Sequence, residues 1–198
     1  MPTSSNSVLN TIIRIVVVMV CGMGTGYLFY GTAIFVPSYT PAQFTMSSIT
    51  AALFYGVSRS YSYRSATAAV FVWYVVSTLP SIHNWWIFVL HLVYVAAIAG
   101  AVYFYQLLVR RPVLRGIFQR IATFSLLTGT MNAIAILFLA TVTTLFSHVK
   151  LSTVYQIGFE NFQLGTLIGL GIGAGIEIAE YLLTLKAVQN LIEGANAG

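Results

Sequence analysis

The chain has 198 residues, of which 58% are hydrophobic and 7% charged; an ordinary soluble domain carries roughly 25% charged residues, so a water-soluble globule is excluded. Nine Lys and Arg stand against four acids, all of them Glu. With no Asp, phosphoryl transfer on an Asp-held Mg²⁺, aspartyl intramembrane proteolysis and EF-hand calcium binding lack their carboxylates.

The basic residues fall in short clusters between apolar stretches, a distribution that belongs to a membrane protein and not to a nucleic-acid binder. A helix needs about 20 apolar residues to cross the hydrocarbon core, and six such stretches can be placed. The N-terminal tail through Ser7 is uncharged and lacks the basic region of a secretory signal, so it is expected to stay attached.

The first helix is expected over 8–30, with Arg14 in its early turns. Residues 31–39 contain Pro37 and cannot continue it. Thr40-Pro41-Ala42-Gln43 then supplies an N-cap, a Pro at the first helical position and a capping-box Gln, which starts a second helix over 41–57. That helix carries Thr45, Ser47, Ser48 and Thr50, whose hydroxyls must find backbone or interhelical partners. Ser58 to Arg64 reads as a basic, aromatic turn at a headgroup boundary.

A third helix is expected over 65–79, stopped by Pro80. The fourth, 85–109, opens on the Trp85-Trp86 pair and passes His91. Arg110, Arg111, Arg115 and Arg120 form the densest charge cluster. A fifth helix over 118–146 carries Thr128, Thr130 and Asn132. The sixth, 153–186, is longer than a bilayer requires. The expectation is an all-α polytopic membrane protein: one transmembrane domain, a bundle of six transmembrane helices.

Six spans put Arg14, Arg59, Arg64, Arg110, Arg111, Arg115, Arg120 and Lys186 on one side and Lys150 alone on the other. The positive-inside rule then assigns a multi-pass protein of the cell membrane with both termini cytoplasmic.

Enzyme signatures are missing: there is no HExxH, no Gly-x-Ser-x-Gly, no CxxC and no phosphate-cradling glycine loop on a strand. A non-enzymatic protein is expected. Cys21 and the three His leave no zinc site of standard spacing. His83 and His148 lie near the outer boundary, away from the depth of His91, which argues against bis-His haem ligation. No metal or cofactor is therefore expected.

Glu160, Asn161 and Gln163 fall in the outer third of the sixth helix, at the level of His83, Asn84 and Trp85. A carboxylate at such depth is expensive unless it faces protein or a water-filled cavity. With Tyr39 and Gln43 these residues are expected to line a ligand-binding pocket open to the outer face.

The sixth helix also holds Gly165, Gly169 and Gly173 at four-residue spacing, with Gly171 and Gly175 on a neighbouring stripe. Such rows let a second helix approach closely. Arg14, Gly22 and Gly26 share one face of the first helix, and the eight-residue steps Arg14–Gly22 and Glu177–Gly169 match at about 12 Å each. The expected register is antiparallel, with Gly22 against Gly169, Gly26 against Gly165 and Arg14 opposite Glu177. Glu180 is the substitute partner of this intramembrane ion pair.

Some 200 residues in six helices with both ends inside resemble the substrate-binding S components of energy-coupling-factor vitamin transporters. That resemblance implies a ligand covered by the loop Gly31 to Tyr39, and a membrane coupling partner docked on small residues such as Gly22 and Gly26. The family's alanine spacing is here replaced by glycines, and no signature of a particular vitamin is present. Locally, Arg115, Arg120 and Asn132, followed by a helix ending in Glu180, look like the membrane modules of bacterial multi-helix sensors, although no signalling domain follows.

Three readings stay open at this point. The favoured one is a small-solute binding or uptake subunit, embedded in lipid, that binds a small molecule and works with a partner membrane subunit but not with nucleic acid. The alternatives are a sensor or regulatory module without an outer cavity, and a structural subunit of a larger complex with polar and small residues facing outward.

Overall fold

The computed structural model describes residues 4–30, 41–81, 84–110, 114, 116–144, 151–185 and 194. These residues form six α-helices: α1 (Ser4–Tyr30), α2 (Pro41–Ser60), α3 (Tyr63–Thr78), α4 (Trp85–Val109), α5 (Ile117–Thr144) and α6 (Leu151–Thr184). A short 3₁₀ turn, Leu79–Ser81, follows α3 and contains the Pro80 that was expected to end it.

The boundaries differ at the start of α1, which begins at Ser4 and not at residue 8, and around the basic, aromatic turn. Residues 58–64 are largely helical: α2 runs on to Ser60, and α3 begins at Tyr63 because Ser62 caps it, its Oγ accepting from the Ser65 amide at 3.1 Å. Only Tyr61 and Ser62 remain between the two helices, so α2 and α3 form a tight hairpin.

Each helix packs against its neighbours in the chain, and α6 closes the ring on α1. Contacts at the glycines fix the directions. Gly22 meets Ser48, Gly26 meets Phe44 and Gly56 meets Ile15, so α1 and α2 are antiparallel. Gly165 meets Gly129, Gly169 meets Ser125 and Gly173 meets Ile121, so α5 and α6 are antiparallel. The pair Gly175 with Val18 and Gly171 with Thr25 gives the same relation between α1 and α6.

Four helices are long and apolar enough to cross a membrane: α1 over Ser7–Phe29, α4 over Phe88–Val109, α5 over Ile117–Val142 and α6 over Ser152–Thr184. The remaining two have physical reasons for being less apolar or shorter. Helix α2 lies in the middle of the bundle, touching α1, α3, α4 and α6; its Ser47, Ser48 and Thr50 are buried among protein. These three polar residues therefore face helices instead of the surroundings. Helix α3 has 16 residues, a rise of about 24 Å, and turns Phe71, Val72 and Val76 outward.

The bundle wears its apolar side chains on the outside. Ile12 and Val20 of α1, Phe118 and Phe138 of α5, and Phe159 and Tyr181 of α6 are all at least half exposed. Apolar exposure on this scale has no stable place in water and matches a lipid surround.

Candidate functional site

Helix α6 organises both polar regions of the molecule, and its two glycine rows explain how. Residues two apart on a helix point about 200° away from each other, so the row Gly165, Gly169, Gly173 faces one neighbour and the row Gly171, Gly175 faces another. The first row meets α5 and the second meets α1. The expected match of Gly22 and Gly26 with Gly169 and Gly165 is thus corrected: Gly22 and Gly26 are covered mainly by Ser48 and Phe44 of α2, with Ile172 the α6 contact at Gly22. A Cβ on Gly165 would stand 2.8 Å from the Gly129 Cα, and one on Gly175 would stand 2.9 Å from the Val18 Cα. Both helix pairs need glycine there.

The same geometry redistributes the charges. Glu177 continues the row that faces α5, and its carboxylate pairs with Arg120 Nη2 at 2.7 Å while accepting from the Tyr105 hydroxyl at 2.7 Å. Arg14 pairs with Glu180, through Nε at 2.7 Å and Nη2 at 3.3 Å, and its Nη1 donates to Ser60. The Tyr55 hydroxyl donates to Glu180 at 2.8 Å. The register between α1 and α6 is therefore three residues from the expected one, about 4.5 Å along the axis, and the substitute partner of Arg14 is the one it takes.

Two parallel triads result: Arg14–Glu180–Tyr55 ties α1, α6 and α2, and Arg120–Glu177–Tyr105 ties α5, α6 and α4. Arg14 is only 13% exposed, so it is held within the bundle and does not reach for the surroundings. Beside the triads, Gln106 Nε2 donates to Ser58 Oγ at 2.8 Å, joining α4 to α2. The densely bonded region they form is called the charged end below.

Toward the opposite end, α2, α4 and α6 enclose a cavity of about 190 Å³. Its polar lining comes from Gln43, Ser47 and Thr50 of α2 and from His91 and Tyr94 of α4; Val95, Ile98 and Ile168 supply apolar walls. Thr50 is fully buried, yet among the described residues its Oγ1 has no hydrogen-bond partner, and the buried His91 Nδ1 has none either. The Tyr94 hydroxyl donates to Asn161 Oδ1. Asn161 is in turn fixed by its Nδ2 bond to the Ile157 carbonyl at 2.8 Å, while its own carbonyl accepts from Asn132 Nδ2 at 3.1 Å.

The sequence-derived pocket residues relate to this cavity unevenly. Gln43 lines it, and Asn161 stands behind its wall, holding Tyr94. Glu160 and Gln163 are half-buried on α6 and do not line it; Glu160 accepts from Gln156 at 2.9 Å. Asn84 is the exposed residue before α4, and Trp85 opens that helix. Tyr39 and His83 lie outside the described residues. Sequence reasoning did not assign Thr50, His91 or Tyr94 to the pocket, because a polar side chain on a buried helix also reads as interhelical packing. The available signal was the density of hydroxyls on α2.

The fold and these sites define an all-helical integral membrane protein with a part-open, mostly apolar cavity carrying a few polar groups at one end and a charged, densely hydrogen-bonded end opposite. Comparison with protein-family models, with curated proteins and with solved structures gives no match.

Proposed function

We propose that the protein is a small-solute binding or uptake subunit of the cell membrane, with six spans and both termini cytoplasmic, acting with a partner membrane subunit. The carrying observation is the cavity between α2, α4 and α6, where the Thr50 hydroxyl and His91 Nδ1 are buried without partners. Buried polar groups in proteins are nearly always satisfied, and an orphan costs about 1–3 kcal/mol. A bound molecule with a donor and an acceptor removes that cost while its apolar body meets Val95, Ile98 and Ile168.

The solute is small, with a mostly apolar body and a few hydrogen-bonding groups, because no formal charge lines this cavity. Inward-facing glycine rows and an apolar exterior favour a binding protein over a structural subunit that would present small and polar residues to a neighbour. A coupling partner docks elsewhere than on Gly22 and Gly26, since α2 covers them. The central position of α2 and the outward Phe71, Val72 and Val76 of α3 support six spans instead of four.

The test is purification from native membranes followed by mass spectrometry of bound small molecules. A compound enriched with the parent protein and lost from Thr50→Val and His91→Leu variants is expected; identical small-molecule content in all three would refute the site. For topology, Ser4→Cys and Asn196→Cys should resist a membrane-impermeant thiol reagent applied outside intact cells, and ready labelling would reverse the orientation.

A further inference from the structure

The charged end encloses a second cavity, of about 330 Å³, where α2, α4, α5 and α6 converge. Arg59, Arg110, Arg120, Glu177 and Glu180 all line it. Its charges do not balance. Glu180 is occupied by Arg14 and Tyr55, and Glu177 by Arg120 and Tyr105. Together with Arg14 the described residues of the region supply four guanidinium groups against two carboxylates.

The surplus lies toward the cavity. Arg59 is 45% exposed and reaches Glu180 Oε1 only at 3.8 Å, an oxygen that Arg14 and Tyr55 already share. Arg110 is exposed at the end of α4, where its backbone N–H donates to the Leu108 carbonyl and its side chain makes no described polar contact. Arg120 bonds Glu177 through Nη2, leaving its buried Nε without a partner. Arg59, Arg110 and Arg120, from α2, the end of α4 and α5, thus line one space whose carboxylates are already engaged.

We propose that this cavity binds a phosphate group, carried either by a soluble phosphate or by a phospholipid headgroup. Guanidinium forks recognise phosphate oxygens in pairs, with charge-assisted hydrogen bonds stronger than neutral ones. Donors on three helices exceed what the two oxygens of a carboxylate satisfy, whereas a tetrahedral phosphate presents three or four oxygens. The two surplus positive charges favour an anion of the same order. The site is separate from the cavity lined by Thr50 and His91 and stands whether or not that cavity binds a solute.

The test uses the full chain in neutral detergent, freed of anionic lipid. Its thermal unfolding midpoint is followed by tryptophan fluorescence against inorganic phosphate, with sodium chloride and sodium acetate at matched ionic strength as controls. A parallel series adds phosphatidylglycerol or phosphatidylcholine. A saturable rise with inorganic phosphate identifies a soluble phosphate; a rise with phosphatidylglycerol alone identifies a lipid headgroup. In either case the Arg59→Gln, Arg110→Gln double variant should need about tenfold more ligand for half-saturation, equivalent to roughly 1.4 kcal/mol. Arg110→Gln alone, which breaks no described contact, should weaken it several-fold and serves if the double variant does not fold. Arg64→Gln, at an exposed position outside the cavity, should leave it unchanged. No response beyond matched chloride and acetate, a response in the Arg110 variants equal to the parent's, or equal weakening by Arg64→Gln would overturn the proposal.

Discussion

The two ends of the space between α2, α4 and α6 differ in how far they satisfy their buried polar groups. At the charged end each of Glu177 and Glu180 meets an arginine and a tyrosine hydroxyl, and the helices are cross-linked through them. At the other end the Thr50 hydroxyl and His91 Nδ1 are buried with nothing to bond. The same low-dielectric interior makes a completed network strong and an incomplete one costly. Satisfied carboxylates hold the charged end together, although even there the buried Arg120 Nε is left without a partner among the described residues.

That contrast breaks most readily at Glu180. Glu180→Leu leaves Arg14 within the bundle with Ser60 as its remaining described partner, and should cost about 3 kcal/mol in denaturant unfolding of the detergent-solubilised protein. Arg14→Leu combined with Glu180→Leu should recover part of the loss, because the stranded charge is gone. A single Glu180→Leu variant as stable as the parent would remove the structural role of the triad.

The next effect lies between α5 and α6. Gly165→Val would push its Cβ to 2.8 Å from both the Gly129 Cα and the Thr128 carbonyl oxygen, backbone atoms that yield only if the helices separate. A loss of about 1–3 kcal/mol is expected. Gly24→Ala, at a position with nothing within 4 Å, should leave the unfolding midpoint unchanged or slightly raised. Equal effects of the two substitutions would contradict the packing described.

Smaller still is Tyr105→Phe, which deletes one hydrogen bond to the Glu177 carboxylate but leaves the Arg120 pair. About 1.5 kcal/mol should be lost, read in the same unfolding experiment. The smallest change sharpens the comparison from the other side. Thr50→Val removes a hydroxyl that bonds nothing, so stability should stay within about 0.5 kcal/mol of the parent or rise. A large loss there would mean that the hydroxyl serves the fold and not a ligand.

Much of the helical layout was readable from local signals. Pro41 with its preceding Thr and following Gln marked the start of α2, the Trp pair and the arginine cluster bracketed α4 at 85–109, and both glycine rows of α6 were visible as periodicity. The hairpin between α2 and α3 was less so, because Arg59 and the aromatic residues suggested a longer turn than the Ser62 cap leaves. Of the residues lining the cavity, the sequence-derived pocket held Gln43; Asn161 stands behind the wall as the partner of Tyr94. Thr50 of α2 comes together with His91 and Tyr94 of α4, and no single stretch of sequence records that.

The sequence by itself determined that this is an all-helical protein with apolar, membrane-length segments, since composition and helical period act within one segment at a time. Only the tertiary structure decided that the Gly165 row meets α5, that the Gly171 row meets α1, and that Arg14 takes Glu180 while Arg120 takes Glu177. A glycine row shows that some backbone comes close but carries no label for which one. The choice of partner is settled by the simultaneous fit of all the helices around α2 and α6.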